Sequence, residues 1–186
     1  MTGCPVPYAI DLGLLLSYSL TAAIRSRSLY LISWWHDRRM FKMTGIEIHQ
    51  ELSSSAKGAV CTGVELYAPG SWSFNFEGRL RLNVQCPWRI VSDRGIALGS
   101  EDDGQQFGLP APVNGGAVAL QLLAATALKQ VLITEKTGDV IFEFDSGIRL
   151  EVFNNSSGYE GWNCGTPSGL EVIGMGGGTT ANVGPK

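Results

Sequence analysis

Histidine is scarce in this chain: two residues, His36 and His49, in 186. Cysteine is scarce too, and Cys4, Cys61, Cys86 and Cys164 form no Cys-x-x-Cys pair. A structural zinc site draws closely spaced Cys and His ligands, so this pattern argues against one. Nucleophilic catalysis needs a base beside Ser, Cys or Thr, and two isolated histidines supply no such pairing. The sequence therefore marks no catalytic residue, no metal ligand and no cofactor site. The cysteines read as reduced, buried thiols, since a chain of this size needs no disulfide staples. Basic residues are few outside the first 42 positions. Residues 43–186 hold nine Lys or Arg against fifteen Asp or Glu, net −6; residues 1–42 hold five against two, net +3. An acidic body lacks the basic face that nucleic acid requires and suits a basic protein partner. No apolar run reaches the ~20 residues of a membrane-spanning helix. The charge-free stretch Leu12–Ile24 ends before its first basic residue, Arg25, the reverse of a secretory signal.

Glycine, by contrast, is abundant, at 24 residues, as a turn-rich β protein requires. Residues 74–84, FNFEGRLRLNV, align without a gap on residues 142–152, FEFDSGIRLEV, at a spacing of 68. Phe74 falls on Phe142, Phe76 on Phe144, Arg81 on Arg149, Leu82 on Leu150 and Val84 on Val152. Both stretches alternate apolar and polar residues about an acidic turn, the pattern of a β-hairpin. Upstream, Gly63-Val64-Glu65-Leu66 resembles Gln130-Val131-Leu132-Ile133 with one residue of slippage. Further strands are expected at 46–52, 59–67, 88–91, 95–98, 129–135, 159–164 and 170–175. The last residues, GGGTTANVGPK, read as a flexible or strand-capping tail. AVALQLLAATAL at 117–128 predicts a helix, largely buried by its apolar composition.

These elements give an α+β fold, mainly β: two similar antiparallel β-meander halves, about 60–98 and 129–175, joined by one buried helix. The two meanders either pair into one antiparallel sheet or pack face to face as an open barrel. Residues 43–186 form a single domain, and residues 1–42 an N-terminal apolar helical extension. Met43 opens the run MTGIEIHQEL at a break in composition. The segment 9–35, with Trp34 and Trp35, supplies the alternative of membrane attachment; ordinary packing is favoured over it.

Two places invite a binding role. Glu101, Asp102 and Asp103 form the densest acidic run, on a Gly- and Pro-rich loop spanning 99–116, where binding residues tend to sit. Tyr159, Glu160 and Trp162 offer two aromatic anchors of the kind favoured at interfaces, although strand alternation places one of the aromatics in the core. Arg81 and Arg149 occupy matching positions and are expected to pair with cross-strand acids such as Glu143.

The C-terminal third resembles a family of small bacterial proteins with a shared pattern of Phe-Asp-x-Gly, Tyr-Glu-x-Trp and a Gly-Gly close. Here these are Phe144-Asp145-Ser146-Gly147, Tyr159-Glu160-Gly161-Trp162 and Gly176-Gly177-Gly178. The resemblance covers about residues 60–180 and departs at Met175, where the family has proline. It implies an immunity protein of a polymorphic toxin system: a cytoplasmic, non-catalytic protein that neutralises a cognate toxin by direct binding. The alternative is a structural or scaffold module, tethered to membrane through residues 9–35.

Overall fold

A computed structural model describes residues 43–184. The chain divides into two units, Met1–Asp37 and Arg38–Lys186, and every described residue lies in the second. The expectations for the Leu12–Ile24 helix and for membrane attachment through residues 9–35 lie outside the described residues.

The first described element is a helix, α1 (Gly45–Ala56), where a strand over 46–52 is expected. Thr44 caps it. Its hydroxyl accepts the Glu47 amide at 3.3 Å, and the Glu47 carboxylate accepts the Thr44 amide at 2.7 Å. Such a reciprocal cap satisfies two donors that a helix start leaves open. It also holds the Glu47 carboxyl below the usual carboxylate range. The alternation of IEIHQEL is misleading, because Ile46 is exposed while Ile48, Leu52 and Ala56 line one buried face at helical spacing.

Eleven strands follow: β1 (Cys61–Ala68), β2 (Ser71–Phe76), β3 (Arg81–Val84), β4 (Trp88–Ser92), β5 (Gly95–Gly99), β6 (Leu128–Ile133), β7 (Val140–Phe144), β8 (Arg149–Val152), β9 (Trp162–Gly165), β10 (Glu171–Gly174) and β11 (Thr180–Val183). A second helix, α2 (Gly115–Leu123), precedes β6. The strands form two antiparallel sheets. One runs β1-β2-β3-β9-β10-β11 and the other β5-β4-β8-β7-β6. The protein is thus mainly β, with two helices among the described residues. Thr180–Val183, expected to be a tail, is a paired edge strand against β10. The strand expected at 159–164 begins only at Trp162. The helix expected over 117–128 starts at Gly115, capped by Asn114, and stops at Leu123. It is not deeply buried: Gly115, Ala119 and Leu123 face inward, while Ala117 and Gln121 are exposed.

The two sheets pack face to face. Phe76 of β2 stacks on Phe142 of β7 with centroids 5.8 Å apart, and Phe144 lies 6.4 Å from the same ring. Trp88 of β4 meets Trp72 and Phe74 of the opposite sheet edge-on, at 5.1 and 5.2 Å. Aromatic pairs at these separations add to the area they bury. The sheets are also tied along one side. Val60 and Ala127 form a bridge, and the amides of Leu128 and Gly58 donate to the carbonyls of Ala59 and Leu128 at 2.8 and 2.7 Å.

The pairing registers match at the spacing seen in the sequence. Trp72 lies opposite Val84 and Phe74 opposite Leu82; 68 residues on, Val140 lies opposite Val152 and Phe142 opposite Leu150. Arg79 and Gly147, also 68 apart, both take a left-handed φ, 69° and 83°, at the hairpin turns. The neighbours of these hairpins match as well: β9 places Trp162 opposite Val84, and β4 places Trp88 opposite Val152. The strand that follows each hairpin therefore crosses to the other sheet. Arg81 and Arg149 have dissimilar partners, neither of them a cross-strand acid. Arg81 donates to Ser73 Oγ at 3.0 Å, whereas Arg149 pairs with Glu151 on its own strand at 3.1 Å. Glu151 is buried and also binds Arg89 at 2.7 Å. Glu143 instead accepts from Gln130.

Candidate binding groove

The C-terminal part of β1, Glu65–Ala68, is exposed along its length. The chain then turns at Pro69-Gly70 and enters β2 at Ser71, followed by Trp72, whose ring is buried. Beside this corner lies a cavity of about 370 Å³, with Leu66, Gly70, Trp72, Cys86 and Glu101 among its walls. A second cavity, of about 360 Å³, shares Leu66, Trp72 and Asp103 and continues past Val113 to Gly116. Together they make a groove between β1 and the segment from Ser100 to the start of α2.

That segment is a loop held at its base. Ser100–Asp102 forms a single 3-10 turn. The Gly104 amide donates to the Val113 carbonyl at 2.9 Å, and the Val113 amide to the Gln105 carbonyl at 2.8 Å. The excursion between them carries Phe107 and Leu109 into solvent. Of the acidic run, Asp102 accepts the Gly99 amide at 2.7 Å and Asp103 accepts the Gly115 amide at 2.8 Å. These two carboxylates therefore hold the loop and the first turn of α2, where a negative charge also suits the helix dipole. Glu101 is exposed and faces the groove. The acidic run is thus two anchors and one open charge rather than three equivalent groups.

Tyr159 and Glu160 are exposed on the loop before β9, Tyr159 to 80%. Trp162 is buried, and its Nε1 donates to the Gly138 carbonyl at 2.8 Å. It is core, so it offers no surface to a partner. The structure does not bring Tyr159 or Glu160 to the groove walls.

The remaining candidates for chemistry are occupied in structural contacts. His49 lies on α1, not on a strand, and its Nε2 donates to the Val131 carbonyl at 2.8 Å. Ser53 Oγ accepts the Val131 amide at 3.3 Å, so one turn of α1 seals the outer edge of β6. Cys61, Cys86 and Cys164 are free thiols, all buried. Burial pushes Cys61 up to about 11 and Cys86, with help from the Asp139 charge, up to about 12; Cys164 is raised too, again by burial first. At neutral pH these sulfurs stay protonated and are poor nucleophiles. Among the described residues no cluster of His, Cys, Asp and Glu suits a metal ion, and no helix is long and apolar enough to cross a membrane.

Sequence reasoning missed the groove because its walls come from four separated stretches, around Leu66, Trp72, Cys86 and 100–116. One signal was present: no Lys or Arg occurs between Ala59 and Gly78 or between Gly95 and Leu128. No protein-family model, no curated protein and no solved structure matches the chain.

Proposed function

We propose that this chain is a non-catalytic binding protein, an immunity protein that neutralises a cognate bacterial toxin by covering its active site in the cytoplasm. We further infer that the body consists of two copies of one unit, a helix followed by a three-stranded meander and a strand that crosses to the other sheet. The matching registers 68 residues apart support that reading of the fold.

The duplication separates what folding needs from what it does not. In the second copy, Asn154 stands 68 residues after Cys86 and Gly138 stands 68 after Gly70. There the Asn154 side-chain Nδ2 donates to the Met175 carbonyl at 2.7 Å, Trp162 donates to Gly138, and Gly178 packs against Lys136. That corner is filled. In the first copy the corner by Gly70 and Cys86 opens into the groove. Folding tolerates the filled version, so the open one is free to serve a partner. This contrast is the observation that carries the binding role, and the resemblance in the C-terminal third directs it toward a toxin.

The test is co-expression with the product of the open reading frame beside its gene. The chain is expected to restore growth and to co-purify with that product at a fixed ratio. Unrelieved toxicity with no complex would overturn the immunity role. Release of membrane-bound chain on removal of residues 9–35 would favour the scaffold alternative instead.

A further inference from the structure

We propose that the groove receives an extended, basic segment of the partner, laid along the outer edge of β1. The inference rests on the binding role above only in taking the occupant to be a protein. An outer strand presents backbone donors and acceptors that an added strand can pair with, and proteins normally cover or blunt such edges. The outer edge of β6 is covered in this way, since His49 and Ser53 take up the carbonyl and amide of Val131. Val64 stands 67 residues before Val131. The residues 67 positions after His49 and Ser53 are Gly116 and Leu120, and neither side chain can form such bonds. Gly116 does bring α2 close to β1: a Cβ there would lie 2.9 Å from the Val64 carbonyl oxygen. The helix begins at Gly115, so beyond that contact Glu65–Ala68 runs exposed beside the groove.

The walls specify the chemistry of the occupant. Glu101 faces the groove and is exposed, and Glu65 is exposed on the strand beside it. The stretches that supply the walls, 59–78, 85–87 and 95–128, contain no Lys or Arg to neutralise them. An acidic site without an internal cation favours arginine or lysine from outside. Leu66 and Trp72 line the same space and suit the apolar stems of those side chains, which bury their methylenes and keep the charge wet. Phe107 and Leu109 are exposed on the loop that follows Glu101. An acidic segment meets like charge here, and a purely apolar one leaves Glu101 and Glu65 unpaired.

The probe is a synthetic peptide, acetyl-Arg-Val-Arg-Val-Arg-Val-amide, titrated into the 15N-labelled full chain. Amide shifts are expected at Glu65–Ala68 and at residues 101–114, and to shrink as salt is added. Glu65→Lys together with Glu101→Lys is expected to weaken the peptide about tenfold or more, about 1.4 kcal/mol. Both positions are exposed and neither anchors the loop, so the fold is kept; unchanged dispersion of the remaining resonances checks this. Shifts that fall elsewhere, equal binding of the peptide with Glu in place of Arg, or no shift at millimolar peptide would each overturn the proposal. No toxin enters this experiment. Its failure leaves neutralisation through another face intact, and a failed co-expression test leaves the peptide result standing.

Discussion

Phe144→Ala is expected to lower stability by about 3–5 kcal/mol, and Arg149→Ala by less than about 1 kcal/mol. Phe144 is 1% exposed and lies against Phe76 of the opposite sheet. Truncation removes apolar area and leaves a cavity between two sheets that are tied along one side and cannot simply close. Arg149 is close to half exposed, and its partner Glu151 keeps a second guanidinium, that of Arg89, at 2.7 Å. Solvent screens what the lost ion pair contributed. Thermal melts of the two variants read the difference, which at this chain length amounts to on the order of 10 °C. Equal shifts would contradict the assignment of the alternating faces.

Gly174→Ala is expected to be as damaging, although it adds only a methyl group. A Cβ on Gly174 would overlap the indole of Trp162, which lies across β10 in the core. Relief requires the ring to move, which breaks its hydrogen bond to the Gly138 carbonyl. Overpacking costs about 1–3 kcal/mol, and an unsatisfied buried donor about 1–3 more. Trp88, by contrast, has room for its ring between Trp72 and Phe74 of the opposite sheet. Denaturant unfolding of Gly174→Ala followed by tryptophan fluorescence measures the loss. A variant as stable as the parent would show that the ring has another place to go.

The hairpins were legible in the sequence because their pairing is local and their apolar residues alternate strictly, from Phe74 to Val84 and from Phe142 to Val152. The same alternation is misleading over residues 46–52. Ile46 and Ile48 alternate, but Thr44 and Glu47 form a helix cap, and Ile48, Leu52 and Ala56 recur every four residues. Over seven residues the two periods look alike, and the cap was the deciding signal. Packing fixed what local pattern could not. Trp162 belongs to the core because β9 lies between β3 and β10, and that neighbourhood joins residues about 80 positions apart. Thr180–Val183 becomes a strand because β10 offers it an edge, despite modest propensity. Of the candidate binding residues, Glu101, Tyr159 and Glu160 are exposed as their polarity suggested. Asp102 and Asp103 are half-buried because amides of Gly99 and Gly115 need acceptors there, a demand set by the path of the loop.

Backbone hydrogen exchange, on the chain alone and bound to an inactivated form of the toxin proposed as its partner, tests the central claim most directly. Amides of Glu65–Ala68 and of residues 100–114 are predicted to slow on binding, while the turn 68 residues further on, residues 134–139, keeps its rates. Slowed exchange at 134–139 or around Tyr159, with 65–68 and 100–114 unchanged, would contradict the groove as the site of recognition.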